Sequence, residues 1–270
     1  MKNIHGISFV RNDLCAVCHI TDLTDEIKEL IRERLSSICH GKLVSESNLD
    51  IHSYHETLSE FVKRYEKKSE DTKKGMIGEF LAHLIISEYF QEYHVVSAFF
   101  NMEERSVKKG FDVVLATKSD YSIWITEVKS GELHNNTDSM GTSSNLILEA
   151  KRDLMNRLNR ENRSLWINAI NHAYIVCSNN SDLKEAVAEI LDDYRAKSGK
   201  SNVCTSVYLN AFLVSALFAD LSDSINYGSI NQKISTLNVG NSFNALFVLS
   251  IQKGTYQKVY DFLKKESNQP

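Results

Sequence analysis

The chain has 270 residues, 42% of them hydrophobic and 24% charged, enough to bury a genuine core as one large domain or two small ones. Its one proline is Pro270, which excludes a Pro-rich linker, a collagen-like repeat and a polyproline recognition tail. The net charge of −4 sits wholly in residues 1–60, with 6 basic against 10 acidic side chains, while residues 61–270 balance at 25 of each, so composition alone does not exclude a nucleic-acid partner.

Residues 7–20 read as two short strands turned by Arg11-Asn12-Asp13. Cys15-x-x-Cys18-His19, with Cys39-His40 downstream, holds the ligand types of a zinc site but lacks a second pair at finger spacing. Free thiols are therefore the expected state of Cys15, Cys18, Cys39, Cys177 and Cys204, with burial the default. Thr24 caps a predicted helix whose Ile27, Leu30, Ile31, Leu35 and Ile38 share one face. A second helix is predicted over about 55–68, and the charged run Lys67-Lys68-Ser69-Glu70-Asp71 closes it. That run divides the chain into an N-terminal α+β extension, residues 1–69, partner-facing or regulatory, and a main domain, residues 70–270.

The main domain opens with a helix over about 72–91 and continues with three strand-like runs, 94–100, 111–116 and 121–129. A polar loop, 132–144, leads to a helix over about 145–162, a strand at 173–177 and a helix over about 182–195. The order α-β-β-β-α-β makes an α/β (α+β) core over about 75–178. Apolar runs at 203–219 and 243–251 and a helix at 255–265 are C-terminal additions to it. The longest apolar run, Ala211 to Ala219, falls far short of the roughly 20 residues that cross a bilayer, and Arg11 and Asp13 interrupt any leader-like stretch. A soluble, cytoplasmic chain is expected.

Chemistry concentrates on the third strand. Ile123, Ile125, Glu127 and Lys129 alternate onto one face, so a face that is heading inward turns ionic at its end. Charges there are costly unless something pairs or uses them. Asp112 interrupts the preceding strand in the same way, and strand pairing would bring it beside Glu127 to give two hard oxygen ligands for one divalent cation. Glu79 lies on the first long helix behind Gly75 and Gly78, whose use would be close approach of backbone or substrate; His83, one turn on, shares its face as a supporting group. The plainer reading makes Glu127–Lys129 a cross-strand ion pair and Asp112 a strand-end cap.

Glu79 on a helix, Lys108-Lys109-Gly110-Phe111-Asp112 opening a strand and Glu127-Val128-Lys129-Ser130-Gly131 closing the next resemble the PD-(D/E)xK nuclease superfamily in its RecB-like form. More narrowly, Gly75-x-x-Gly78-Glu79, the run Arg105 to Asp112 and the total length are similar to HamA, the nuclease family of Hachiman anti-phage defence. The resemblance implies a restriction-endonuclease-like core that hydrolyses DNA phosphodiesters with Mg²⁺, for which Mn²⁺ would substitute. It implies Asp112, Glu127 and the Val128 carbonyl as metal ligands, Glu79 completing the metal or water shell, and Lys129 orienting water or stabilising negative charge. It also implies a partner helicase, HamB-like, that restrains cutting. No small-molecule cofactor is implied. A catalytically silent nuclease-like binding subunit and an RNA-directed nuclease are the competing readings.

For DNA contact, the helix at 145–162 is informative. At about 100° per residue, Ile147, Leu148, Leu154, Met155 and Leu158 gather around Lys151, while Arg152, Arg157, Arg160 and Arg163 fall on the other side, diluted by Glu149, Asp153 and Glu161. That side reads first as a solvated surface and second as a phosphate-tracking stripe. Lys151 either points to the strand ends or snorkels to solvent. The loop 132–144, which holds a solvent-exposed His134, is expected to handle substrate or partner.

Overall fold

A computed structural model describes residues 3–47, 49–100, 110–133, 137–160, 163–198, 205–237 and 239–269. Lys108, Lys109, His134 and Cys204 lie outside them. In chain order the elements are β1 (Ile7–Arg11), β2 (Cys15–Ile20), α1 (Asp25–His40), α2 (Lys42–Ser45), α3 (Tyr54–Glu66), α4 (Glu70–Tyr89), β3 (Tyr93–Val95), β4 (Val113–Thr117) and β5 (Ile123–Glu132). There follow α5 (Ser139–Leu158), α6 (Arg163–Val176), α7 (Ser181–Lys197), β6 (Asn210–Phe218), α8 (Tyr227–Leu237), β7 (Ala245–Lys253) and α9 (Gln257–Ser267). The strands form one mixed sheet in the order β1-β2-β7-β6-β5-β4-β3. β2, β7, β6 and β5 run parallel, and antiparallel strands flank them on both sides.

Two apolar layers cover the sheet. Side chains of α1, α3, α4 and α9 pack on one face against Leu115, Phe212, Val214 and Leu249. Side chains of α5, α6, α7 and α8 pack on the other against Val114, Ile125, Leu213 and Val248. β6 is buried along its whole length, as a central parallel strand with helices on both sides must be. The first hairpin extends the same sheet through the β2–β7 pairing, with Cys15 opposite Val248. Cys15 and Cys18 therefore point to opposite faces of β2 and into different layers, which removes the tight ligand pair a zinc ion would need. Cys15, Cys18, Cys39 and Cys177 are free and buried.

The order α-β-β-β-α is present, but the strand expected next is a helix. Residues 173–177, read as a strand from their β-branched and aromatic content, form the end of α6 and the residue after it. Leu165, Trp166, Ala169, Ala173 and Val176 recur at helical spacing on its buried side. The closing strand is β6, two helices further along, so the core runs well beyond residue 178. The strand expected at 94–100 stops at Val95. There the Ser97 hydroxyl accepts the Val114 N–H, and Phe99 and Phe100 donate to the Ile38 and Cys39 carbonyls at the end of α1. The chain thus leaves the sheet to cap a helix. α5 starts earlier than expected because Asp138 accepts the Gly141 N–H as its N-cap.

At the end of α1 the His40 ring donates to or accepts from Thr57 Oγ1 at 3.0 Å and stands 5.0 Å from the His52 ring. Burial, reinforced by His52 and Arg64, pulls its pKa down to about 4. A histidine held neutral in the fold takes its proton first in the unfolded chain. Stability is therefore expected to fall as pH drops from about 6.5 to about 4 and to level off below. Urea-unfolding midpoints at pH 7 and pH 4.5 should differ less in His40→Gln than in wild type.

Candidate active site

Asp112, Glu127 and Lys129 come together where β4 leaves β5. Val113 lies opposite Thr126, and the same antiparallel register carries Asp112 to the height of Glu127. Phe111 is held edge-on by the buried Trp166 of α6, with ring centroids 5.1 Å apart, and this fixes the entry to β4. Asp112, 8% exposed, accepts the Val128 N–H at 2.7 Å, so it does cap the strand end while standing beside Glu127.

Glu127 is 1% exposed, yet its two oxygens meet two cations: Oε1 lies 3.4 Å from Lys129 Nζ and Oε2 lies 3.1 Å from Arg157. Lys129 in turn lies 2.7 Å from Asp153 and 3.8 Å from Glu149. Burial pulls the Lys129 pKa down, but the hydrogen bond to Asp153 and the charges of Glu127, Asp153 and Glu149 outweigh it and hold it above the ordinary lysine value. Burial pushes Asp153 up, and its bond to Lys129, with help from Arg152, more than reverses that. The ammonium and the carboxylate are both charged across the neutral range.

Of the three partners on α5, Glu149 and Asp153 were not visible as site residues in the sequence, and Arg157 was expected as a DNA contact, not as a partner of Glu127. Glu149, Asp153 and Arg157 occupy the helix side that reads as solvated by its angle from Lys151. The available signal was their four-residue spacing, which forms one ridge. Two corrections follow on the opposite side. Leu148 is exposed rather than buried. Lys151 points neither to the strand ends nor simply to solvent: its ammonium donates to the Leu237 carbonyl at the end of α8, where a cation suits the exposed carbonyls. Arg152 and Arg160 are exposed at the rim of α5.

Glu79 stands half-buried on α4, the helix over the other face of the sheet. Its neighbour Gly78 makes the close approach expected of it. A Cβ there would overlap Ser130 Oγ and come within 3.0 Å of the Ser130 and Ala216 Cβ atoms. Gly75 faces open space, so only one of the two glycines is required by packing. α4 thus lies directly on β5 one residue beyond Lys129. His83 is buried, edge-on to Phe99 at 5.8 Å. Among the described residues, no three His, Cys, Asp or Glu side chains are gathered closely enough to hold a metal ion. A cleft of about 550 Å³ lined by Asp120, Asp193, Lys197, Tyr208 and Asn210 lies at the opposite end of β5 and holds none of the candidate residues.

Taken together, the site is a buried carboxylate pair, one lysine and a helix ridge of alternating partners. Asp112, Glu127, Glu149 and Asp153 outnumber Lys129, Arg152 and Arg157 among its charges. Hard oxygen donors with a net negative charge are the chemistry that suits a divalent metal of the Mg²⁺ type. No helix of the described chain is long and apolar enough to cross a membrane. No curated protein matches the chain. The sequence model of the HamA family matches residues 5–260.

Proposed function

The chain belongs to the HamA family, whose role is anti-phage defence, and from that premise we propose that it is a metal-dependent nuclease that cleaves DNA. The observation that carries this reading is the convergence of Asp112, Glu127 and Lys129 at the β4–β5 junction, after the element order α-β-β-β and before three helices and β6. That combination resembles the PD-(D/E)xK pattern, which supports the reading.

In the proposed reaction, Asp112 and Glu127 would hold Mg²⁺ with the Val128 carbonyl, and Glu79, on the helix over the other face, would meet only the water shell around it. The metal, when bound, supplies a Lewis acid for the scissile phosphate and lowers the pKa of a bound water. Lys129 stays protonated because Asp153 and Glu127 hold its charge, and it stabilises negative charge that develops on the phosphate oxygens. Arg152 and Arg160, exposed at the rim, meet the DNA backbone; this contact is non-specific and weakens with salt. Work in the cytosol beside a HamB-like helicase fits this chemistry, because a cutting activity without sequence readout needs restraint. The N-terminal part, residues 1–69, whose first 60 residues carry a net charge of −4, is the surface proposed to face that partner.

A second reading, a catalytically silent binding subunit, has one observation in its favour: Glu127 and Lys129 already stand in ion pairs with Arg157 and Asp153. One assay separates the two. Purified chain, alone and with its co-purified helicase, is given supercoiled plasmid, linear DNA and RNA. DNA loss is expected with Mg²⁺ or Mn²⁺ and none with EDTA. Inertness in every combination would establish the silent reading, and RNA loss alone would redirect the substrate.

A further inference from the structure

The α5 ridge does more than line the site. Glu149, Asp153 and Arg157 are spaced by one helical turn each, about 6 Å per four residues. Glu127 and Lys129 are two strand residues apart, about 6.7 Å. The two spacings match, and the helix runs past them in the opposite sense, so Asp153 meets Lys129 as Arg157 meets Glu127. Each ionic group of the strand faces a partner of opposite sign. Arg157 also donates weakly to the Gly110 carbonyl at 3.5 Å, so its side chain spans from β5 to the segment leading into Asp112. Its side chain is 36% exposed and that of Glu127 is 1% exposed. The guanidinium is therefore the more solvent-facing member of the pair.

We propose that Arg157 is a resident counter-cation of Glu127 that competes with the divalent metal, and that with Asp153 on Lys129 it makes α5 a built-in restraint on the site. The proposal rests on the nuclease reading and deepens it by assigning its regulation. Metal can use Glu127 Oε2 only after Arg157 has left it, and whatever draws the α5 ridge aside arms the site. DNA phosphate is the chemistry that fits this release, because a guanidinium withdrawn from a carboxylate exchanges it for a phosphate oxygen with the same geometry.

The test is Mn²⁺ binding to the full chain, followed by the electron paramagnetic resonance signal of free Mn²⁺, in wild type, Arg157→Gln, Glu127→Gln and the double variant. A neighbouring guanidinium changes a carboxylate's affinity for a proton by about one to three powers of ten. Arg157→Gln is accordingly expected to bind Mn²⁺ at least about ten-fold more tightly than wild type. The gain should vanish in the double variant, and Arg157→Lys, which keeps the charge, should resemble wild type. Arg157→Met repeats the measurement if the Gln variant does not fold. Equal binding by wild type and Arg157→Gln, with weaker binding by Glu127→Gln, would overturn the restraint and leave the metal reading standing. Weaker binding by Arg157→Gln would make Arg157 a positioning residue and also overturn the restraint. If no form binds through Glu127, both readings fall together.

Discussion

Lys129→Ala and Glu127→Gln are each expected to slow the proposed metal-dependent DNA cleavage by at least about a hundred-fold while leaving the fold intact. Loss of a single electrostatic stabiliser of a transition state costs about 10²–10³ in rate, and Glu127 is proposed to hold the metal as well. Retention of the fold follows from the charges around the pair. With Glu127 neutral, Lys129 still faces Asp153 and Glu149, and Arg157, whose side chain is 36% exposed, reaches water, so no buried cation is left unpaired. The Gln side chain keeps the volume of the Glu it replaces. In Lys129→Ala, Arg157 remains on Glu127. Initial rates of supercoiled-plasmid loss, read beside thermal melts, check both halves. Cleavage at wild-type rate in both variants would remove the site assignment.

The second large effect is mechanical. Gly78→Ala gains about 1 kcal/mol of helix propensity. It also drives a methyl group into Ser130 Oγ and to within 3.0 Å of two further carbons. Overpacking of a closed interface costs about 1–3 kcal/mol and occasionally more. Here α4 meets backbone-anchored atoms of two strands, so the upper end applies and the net loss is about 2 kcal/mol. For a chain of this size that lowers the melting temperature by roughly 4–8 °C. Ser130→Ala in the same chain removes the hydroxyl that the new methyl meets first and should recover part of the loss. A Gly78→Ala chain that melts with or above wild type would show that α4 does not rest on β5 as closely as described.

The strand half of the site was legible in the sequence because strand periodicity is simple. Alternation alone sets Glu127 and Lys129 on the face of Ile123 and Ile125, and pairing sets Asp112 beside them. The helix half was not legible. A helical wheel separates apolar from polar, and it has no way to tell a polar side that meets water from one that meets an ionic strand. Glu149, Asp153 and Arg157 were therefore read as surface. Residues 173–177 failed for a related reason: Tyr, Ile and Val favour strands locally, but the spacing of Leu165, Trp166, Ala169 and Ala173 had already committed the segment to a helix. The start of α5 was hidden because Ser139, Thr142 and Ser143 are buried polar residues and give no apolar period. Ser143 bonds Ser215 of β6 at 2.8 Å, and the Ser139 N–H donates to Asp223, contacts that only the tertiary fold supplies.

The sheet order also sets a timetable. β5 lies between β4, made before it, and β6, which ends at residue 218. A ribosome working at about 5–20 residues per second needs roughly 5–20 seconds to pass from Lys129 to the end of β6. Through that interval the strand bearing Glu127 and Lys129 has a neighbour on one side only, and β2 still waits for β7. A cell making this chain therefore handles an unfinished site throughout that interval. On the proposed reading, any ability to cut arises only once these late strands have arrived.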